Sequence, residues 1–228
     1  MRFDTYTFLA RVSPLLVLIF PAVLAVFAWA PNGFTLPTTL TAVGMFVAVS
    51  FFAAQLGRDN GVALQKRLWF TWGGPPTTQL LRHRNHPNPH VLARYHKKLA
   101  FLLGTPLPTA KEEQLAPEEA DKLYDAATAL LRQKTRDLKA FPLVFKELTN
   151  YGFRRNLYGC RRSGILISFL STLAIALAAL IEANVEHWVH CMIAASFFAF
   201  WVLRVNSGWV KIPAFAYAKS LLEASESL

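Results

Sequence analysis

Cysteine is almost missing from this chain of 228 residues. Cys160 and Cys191 stand alone with no C-x-x-C spacing, so neither a disulfide framework nor a cysteine zinc site follows. Charge is also scarce. Asp, Glu, Lys and Arg make up 17% of the residues, against about 25% in an ordinary soluble domain. No G-x-S-x-G, P-loop, H-E-x-x-H or paired-carboxylate pattern is present, so no catalytic residue, and no enzyme, is expected. No acidic residue lies between Asp59 and Glu112. There is no strand-like alternation, no repeat of solenoid period and no low-complexity tract.

Apolar residues are plentiful, at 54% of the chain, and they are bunched. Four runs stand out: Ser13–Ala30, Leu36–Leu56, Ser163–Ile181 and His187–Val205. Each approaches the roughly 20 helical residues that cross a hydrocarbon core of about 30 Å. The sequence predicts four transmembrane helices. The first run follows Arg2 and Arg11 and finishes in A-W-A, like a cleavable signal. A second span follows after only Pro31–Thr35, so a retained hairpin is expected.

Lys and Arg fix the orientation. The turns Pro31–Thr35 and Glu182–Glu186 contain neither, while residues 57–162 hold 19 of them against 9 Asp and Glu, a net of +10. That equals the formal charge of the whole chain. The expected fold class is an all-α membrane protein: four transmembrane helices as two hairpins flanking a helical cytoplasmic domain. Its parts are an N-terminal hairpin (1–56), a basic sensor domain (57–162), a C-terminal hairpin (163–205) and a cytoplasmic tail (206–228). Both termini and the central domain are placed in the cytoplasm.

Within the central domain, Asn88-Pro89 reads as an N-cap with proline at the first helical position. Leu92, Tyr95, Leu99 and Leu102 then recur at helical spacing up to Gly104. Pro117-Glu118-Glu119 opens a second helix with the stripe Leu123, Ala127 and Leu130, and a third starts near Phe141-Pro142 with Phe145 and Leu148. T-W-G-G-P-P-T-T reads as a rigid turn into a helix. Residues Thr105–Ala116 are expected as the most exposed and mobile loop.

The stretch Gln79–Lys98, QLLRHRNHPNPHVLARYHKK, carries the chemistry. His83, His86 and His90 have the short spacing of zinc ligands. Pro87 and Pro89 break the register that would stack them, no carboxylate is near in sequence, and Arg82, Arg84 and Arg94 would repel a dication. No metal and no other cofactor is expected. An anion site has the better basis: a helix N-terminus at Asn88-Pro89 lies beside Arg82, His83, Arg84 and His86, and His90, Arg94 and Lys97 recur along one helix face. Trp69, Trp72 and Tyr95, with Phe70, are expected to stack on bases, as in single-strand binding grooves. The plainer alternative is a solvated basic surface. Arg154 and Arg155, in G-F-R-R-N-L-Y-G-C-R-R, are explained by the positive-inside rule and by contact with anionic lipid, or couple ligand to membrane helices.

No ionisable residue falls at the middle of a span; His187, His190, Glu182 and Glu186 sit at the outer ends, which argues against a proton-coupled carrier. Hydroxyl residues of the second and third spans, Thr41, Ser50, Ser168, Ser171 and Thr172, are the candidates for a pore wall, against ordinary packing as the alternative. Four helices enclose no wide aqueous path, so a pore would form between copies in a homo-oligomer.

This layout of two apolar hairpins around a basic cytoplasmic domain resembles small membrane effectors of bacterial anti-phage defence. It looks most like the HalB-like transmembrane channels of the Hailong system. The resemblance is one of architecture over the whole chain, with no motif to align. It implies a channel of the bacterial inner membrane, a tetramer, held closed by oligodeoxyadenylate from a partner nucleotidyltransferase and opened when that signal is lost. Without a pore, the same features describe a membrane-anchored scaffold for nucleic acid or protein. A membrane enzyme acting on lipid or a small substrate, using the histidine loop with a metal, is the third class.

Overall fold

A computed structural model describes Tyr6 and residues 8–30 and 61–228, with Asn85 by its backbone alone. The described residues are mostly helical, with no strand among them. They divide into two compact units, Met1–Gln65 with Gly152–Val210, and Lys66–Tyr151 with Lys211–Leu228.

The first unit contains the long apolar helices. A π-helical turn at Phe8–Val12 runs into α1 (Ser13–Trp29). The helical residues 61–72 (α2) begin in the first unit and continue into the second; after the first unit resumes at Gly152 it holds α8 (Arg161–Glu182) and α9 (Val185–Ala199). A second π-helical turn at Phe200–Arg204 extends α9. Phe8–Trp29, Arg161–Glu182 and Val185–Arg204 are each long and apolar enough to cross a bilayer. They match three of the four expected spans. Leu36–Leu56, and with it Thr41, Ser50 and the expected N-terminal hairpin, lies outside the described residues.

Helix α8 packs against both α1 and α9. The buried face of α8 is made of small residues: Gly164, Ser168, Ser171, Ala178 and Ala179, with Ile175. Its outward face carries Leu166, Phe169, Leu170, Leu173, Leu177, Leu180 and Ile181, all more than two-fifths exposed. Small residues let helix backbones approach closely where no hydrophobic effect draws them together. At Gly164 the approach is tightest: an added Cβ would lie 2.3 Å from the ring of Trp201, which is fully buried. No more than 33% of any of the three spans is buried.

The second unit has the opposite grain. Asn88 caps α4 (Pro89–Leu103), its side chain accepting from the backbone N–H groups of His90 and Val91, and Gly104 ends the helix in the left-handed region at φ 71°. Leu92, Tyr95 and Leu99 are buried, as their spacing predicts. The short α3 (Pro76–Leu81) follows the Gly73-Gly74 turn. Helix α6 (Pro117–Lys134) buries Ala120, Tyr124, Ala127, Thr128 and Leu131. Its inner stripe is therefore rotated by about one position from the expected Leu123, Ala127 and Leu130, because Tyr124 turns inward. The expected loop Thr105–Ala116 is largely structured: Thr109 and Glu112 form a capping box that starts α5 (Ala110–Leu115), and Leu107 and Glu113 are buried.

Helices α7 (Pro142–Gly159) and α10 (Ser207–Ala224) each have residues in both units. In the first unit, Leu157, Trp209 and Val205 close a core with Leu15, Leu18 and Trp201. In the second, Val144, Leu221 and Leu222 join Leu81, Tyr95, Leu99, Tyr124 and Leu131. The segment 206–228, expected as a tail, is thus mostly helix, and its last part contributes core residues.

Candidate anion-binding face

The arginines and histidines of the central stretch divide into an inner and an outer set. Arg82 belongs to the inner one. Its Nε and Nη2 donate to the two carboxylate oxygens of Asp121 at 2.8 and 2.5 Å, and Nη1 donates to the Gly73 carbonyl at 2.7 Å. The guanidinium is 8% exposed. The pairing with Asp121, opposed by burial, raises its pKa. Gly74, at φ 122°, makes room: an added Cβ there would sit 2.9 Å from Nη2. Four residues before Arg82, Thr78 donates its hydroxyl to Asp125, four residues after Asp121. One edge of α3 is therefore fastened to one edge of α6 by two matched polar pairs.

Glu113 serves the histidine turn in the same way. Buried to 2% exposure, its carboxylate accepts from the backbone N–H of His83 at 2.7 Å and from the Tyr124 hydroxyl at 3.0 Å, with Arg84 Nε 3.9 Å away. Burial first, and then the bond to Glu113, raises the Tyr124 pKa. The ring Nε2 of His83 is 3.0 Å from the Pro108 carbonyl, and the His83 ring meets that of His96 edge to face at 4.7 Å. His96 Nε2 lies 2.8 Å from the Leu81 carbonyl; burial dominates and lowers its pKa from the ordinary 6.5. His86 Nδ1 accepts from the Asn88 backbone N–H at 3.1 Å.

Three expectations change on this geometry. The N-terminal N–H groups of α4 do not stand open for a phosphate, because Asn88 takes those of His90 and Val91. Tyr95 is no stacking platform: it is 5% exposed and lies in the core, with its hydroxyl pKa raised by burial first and then by Glu223 and Glu226. Trp69 and Trp72 are half-buried. The absence of a nearby carboxylate holds only along the chain, since folding brings Glu113 and Asp121 onto the arginine–histidine turn. Among the described residues no three His, Cys, Asp or Glu side chains gather as a metal site would need.

The outer set is the exposed face of α4. His90, Arg94 and Lys97 are exposed, with Lys98 beside them. Phe101, one turn on, is 78% exposed, and Lys98 Nζ lies 6.0 Å from its ring centre. Arg94, Lys97, Lys98 and Phe101 line an open groove of about 390 Å³, closed on one side by Glu226, whose carboxylate accepts from Arg94 Nε at 3.1 Å. Lys98 and Phe101 were not singled out in the sequence, although Y-H-K-K-L-A-F sets both at the period of the same face.

Arg154 and Arg155 belong to the first unit and are engaged there. Arg154 donates to the Trp209 carbonyl at 3.1 Å and lies 4.8 Å over that indole; Arg155 donates to Gln65 at 2.5 Å. Of the candidate pore residues that are described, Ser168 is fully buried and donates to the Gly164 carbonyl, Ser171 is 6% exposed, and Thr172 donates to the Ser168 carbonyl at 2.7 Å. Ser168 and Ser171 line the seam of α8 within one copy, the packing alternative.

The chain matches no family profile, no curated protein and no solved structure.

Proposed function

We propose that this chain is an oligomeric channel of the bacterial inner membrane, gated by a short nucleotide or oligonucleotide signal that binds the exposed face of α4. The reading is carried by one observation: a helical unit with an open cationic face occurs in the same chain as three helices of bilayer length whose outward faces are apolar. Arg94, Lys97 and Lys98 supply charge for phosphates, and Phe101 supplies an aromatic surface, the combination that holds single strands. By the positive-inside rule, the helical unit and both termini lie in the cytoplasm. By resemblance to the Hailong channels, the signal is oligodeoxyadenylate made by a nucleotidyltransferase partner, and the assembly is a tetramer serving anti-phage defence.

Purified protein in vesicles should show ion flux that changes with added oligodeoxyadenylate. Lys97→Ala together with Lys98→Ala should weaken its binding roughly tenfold or more, and flatten the dependence of log affinity on log salt by about 0.7 per lost contact. Tight vesicles with and without the oligonucleotide exclude the channel. Unchanged affinity at every salt concentration excludes the α4 face.

One observation favours a second reading, a membrane-anchored binding module without a pore. The described spans turn hydrocarbon outward and keep Ser168 and Ser171 inside, so they offer no polar wall. The expected pore residues Thr41 and Ser50 lie outside the described residues, and their cysteine accessibility tests the channel. Binding without conductance supports the module.

A further inference from the structure

The start of α8 and the end of the third described span lie together: Arg161 donates from Nε and Nη2 to the carbonyls of Trp201 and Val202, at 3.4 and 3.1 Å. That spends Arg161 on structure. Its neighbour Arg162 is exposed, and Arg204, which closes the span, is exposed as well. Arg204 lies 5.9 Å over the Trp209 ring, whose orientation is fixed by Phe200 edge to face at 5.9 Å. Stacking occupies the face of a guanidinium and leaves the N–H donors at its edge available. Among the described residues neither Arg162 nor Arg204 has a carboxylate partner. Glu182 and Glu186 lie at the other end of α8 and α9, beside the turn that joins them.

Two exposed guanidinium groups without a carboxylate partner at one end of a bundle offer donors to an anion. Its surroundings are apolar: Leu166, Val202 and Leu203 are 57%, 37% and 75% exposed next to them along the same helices. A soluble phosphate would gain nothing from these side chains, whereas a lipid would lay its acyl chains on them. We infer that Arg162 and Arg204, the latter held by Trp209, form a binding site for the phosphodiester headgroup of an anionic phospholipid. The inference rests on the membrane reading above. Spans of bilayer length put their last residues at headgroup level, and basic residues there favour anionic lipid.

The test uses the full chain in vesicles of equal phosphatidylglycerol and phosphatidylcholine, with a trace of either lipid carrying a nitroxide on its acyl chain. Electron spin resonance gives the fraction of label immobilised by the protein. Wild type should immobilise phosphatidylglycerol several-fold more than phosphatidylcholine at low salt. Arg162→Gln and Arg204→Gln should each lower that preference by up to about fivefold, and the double variant should nearly abolish it. Immobilised phosphatidylcholine and helix content serve as controls for folding, and Arg204→Lys should keep part of the preference. Equal immobilisation of the two lipids by wild type, or a preference that survives both Gln substitutions, overturns the site while leaving the membrane reading intact. If neither lipid is immobilised by wild type, the membrane reading fails and takes the site with it.

Discussion

The two units are built inside out with respect to each other. In the first, the buried face of α8 is glycine, serine and alanine, and its leucines and phenylalanine face outward. In the second, leucine and tyrosine are inside and Arg94, Lys97 and Lys98 are on the surface of α4 or beside it. The same residue types therefore report different surroundings. Close backbone approach joins helices where the outside is apolar, and apolar burial joins them where the outside is water. The treatment of polarity differs in one respect. Both units return hydroxyls to their own backbone, as Ser168 does to Gly164 and Thr128 to Asp125, but the second also fastens elements with a buried ion pair, Arg82–Asp121.

That contrast is broken most severely by removing a buried charge partner. Arg82→Ala leaves Asp121 without its fork and the Gly73 carbonyl without a donor, and should cost about 3–5 kcal/mol of stability in the second unit. Glu113→Ala, which strands the His83 N–H and the Tyr124 hydroxyl, should act similarly. Thermal or denaturant unfolding followed by circular dichroism measures both. If Arg82→Ala instead leaves the melting point unchanged and lowers oligonucleotide affinity, Arg82 serves the ligand and the inner set is misassigned.

In the first unit the matching test is steric. Gly164→Leu drives a side chain into the Trp201 indole and should cost about 1–3 kcal/mol or more, read as a lower midpoint of unfolding in detergent. Leu173→Ala, on the outward face of the same helix, should change that midpoint little. Equal effects would mean that the outward face is packed too.

A smaller effect sharpens the comparison through pH. Burial lowers the His96 pKa, so below about 6.5 the unfolded chain binds a proton that the folded one resists. This contribution is present in full above that value and is lost as pH falls toward the lowered folded pKa. His83, His86 and Glu113 also act on this ring. His96→Gln, which keeps a donor for the Leu81 carbonyl, should flatten the fall in stability of the second unit between pH 7 and pH 5. An unchanged pH profile would show that His96 does not carry the effect.

The smallest expected effect lies on the surface. The exposed pair Arg94–Glu226 is worth about 0.2–1 kcal/mol. Glu226→Gln should leave stability nearly unchanged and raise oligonucleotide affinity by up to about fivefold, since it removes a competing carboxylate from the groove. Titration by fluorescence anisotropy at low salt would detect this; a loss of affinity would mean that the carboxylate helps to hold the ligand.

How far the sequence led depends on whether a signal was local. Asn88-Pro89, the stripe through Leu99 and the stop at Gly104 are local, and α4 follows them closely. The runs that became α8 and α9 are local as well. Thr109-x-x-Glu112 is an equally local signal, a capping box that starts a helix within a stretch expected as loop. The partners of Arg82 and His83 could not be read in this way. Asp121 is 39 residues from Arg82, and Glu113 is 30 residues from His83. Basic character in a sequence therefore counts charges without showing which ones folding neutralises. Hydroxyl residues in an apolar run are ambiguous for the same reason: Ser168 and Thr172 satisfy themselves on their own helix, whichever way it is turned.

The core of the second unit is drawn from two stretches of sequence, with α8 and α9 made between them. Leu221 and Leu222 are fully buried among residues synthesised more than a hundred positions earlier, such as Leu81 and Leu99. During translation that core must wait, incomplete, until both apolar helices have left the ribosome. Both apolar helices are thus complete before the second unit can close, and a nascent chain stalled between Glu182 and Lys211 would carry its basic helices beside an unfilled cleft.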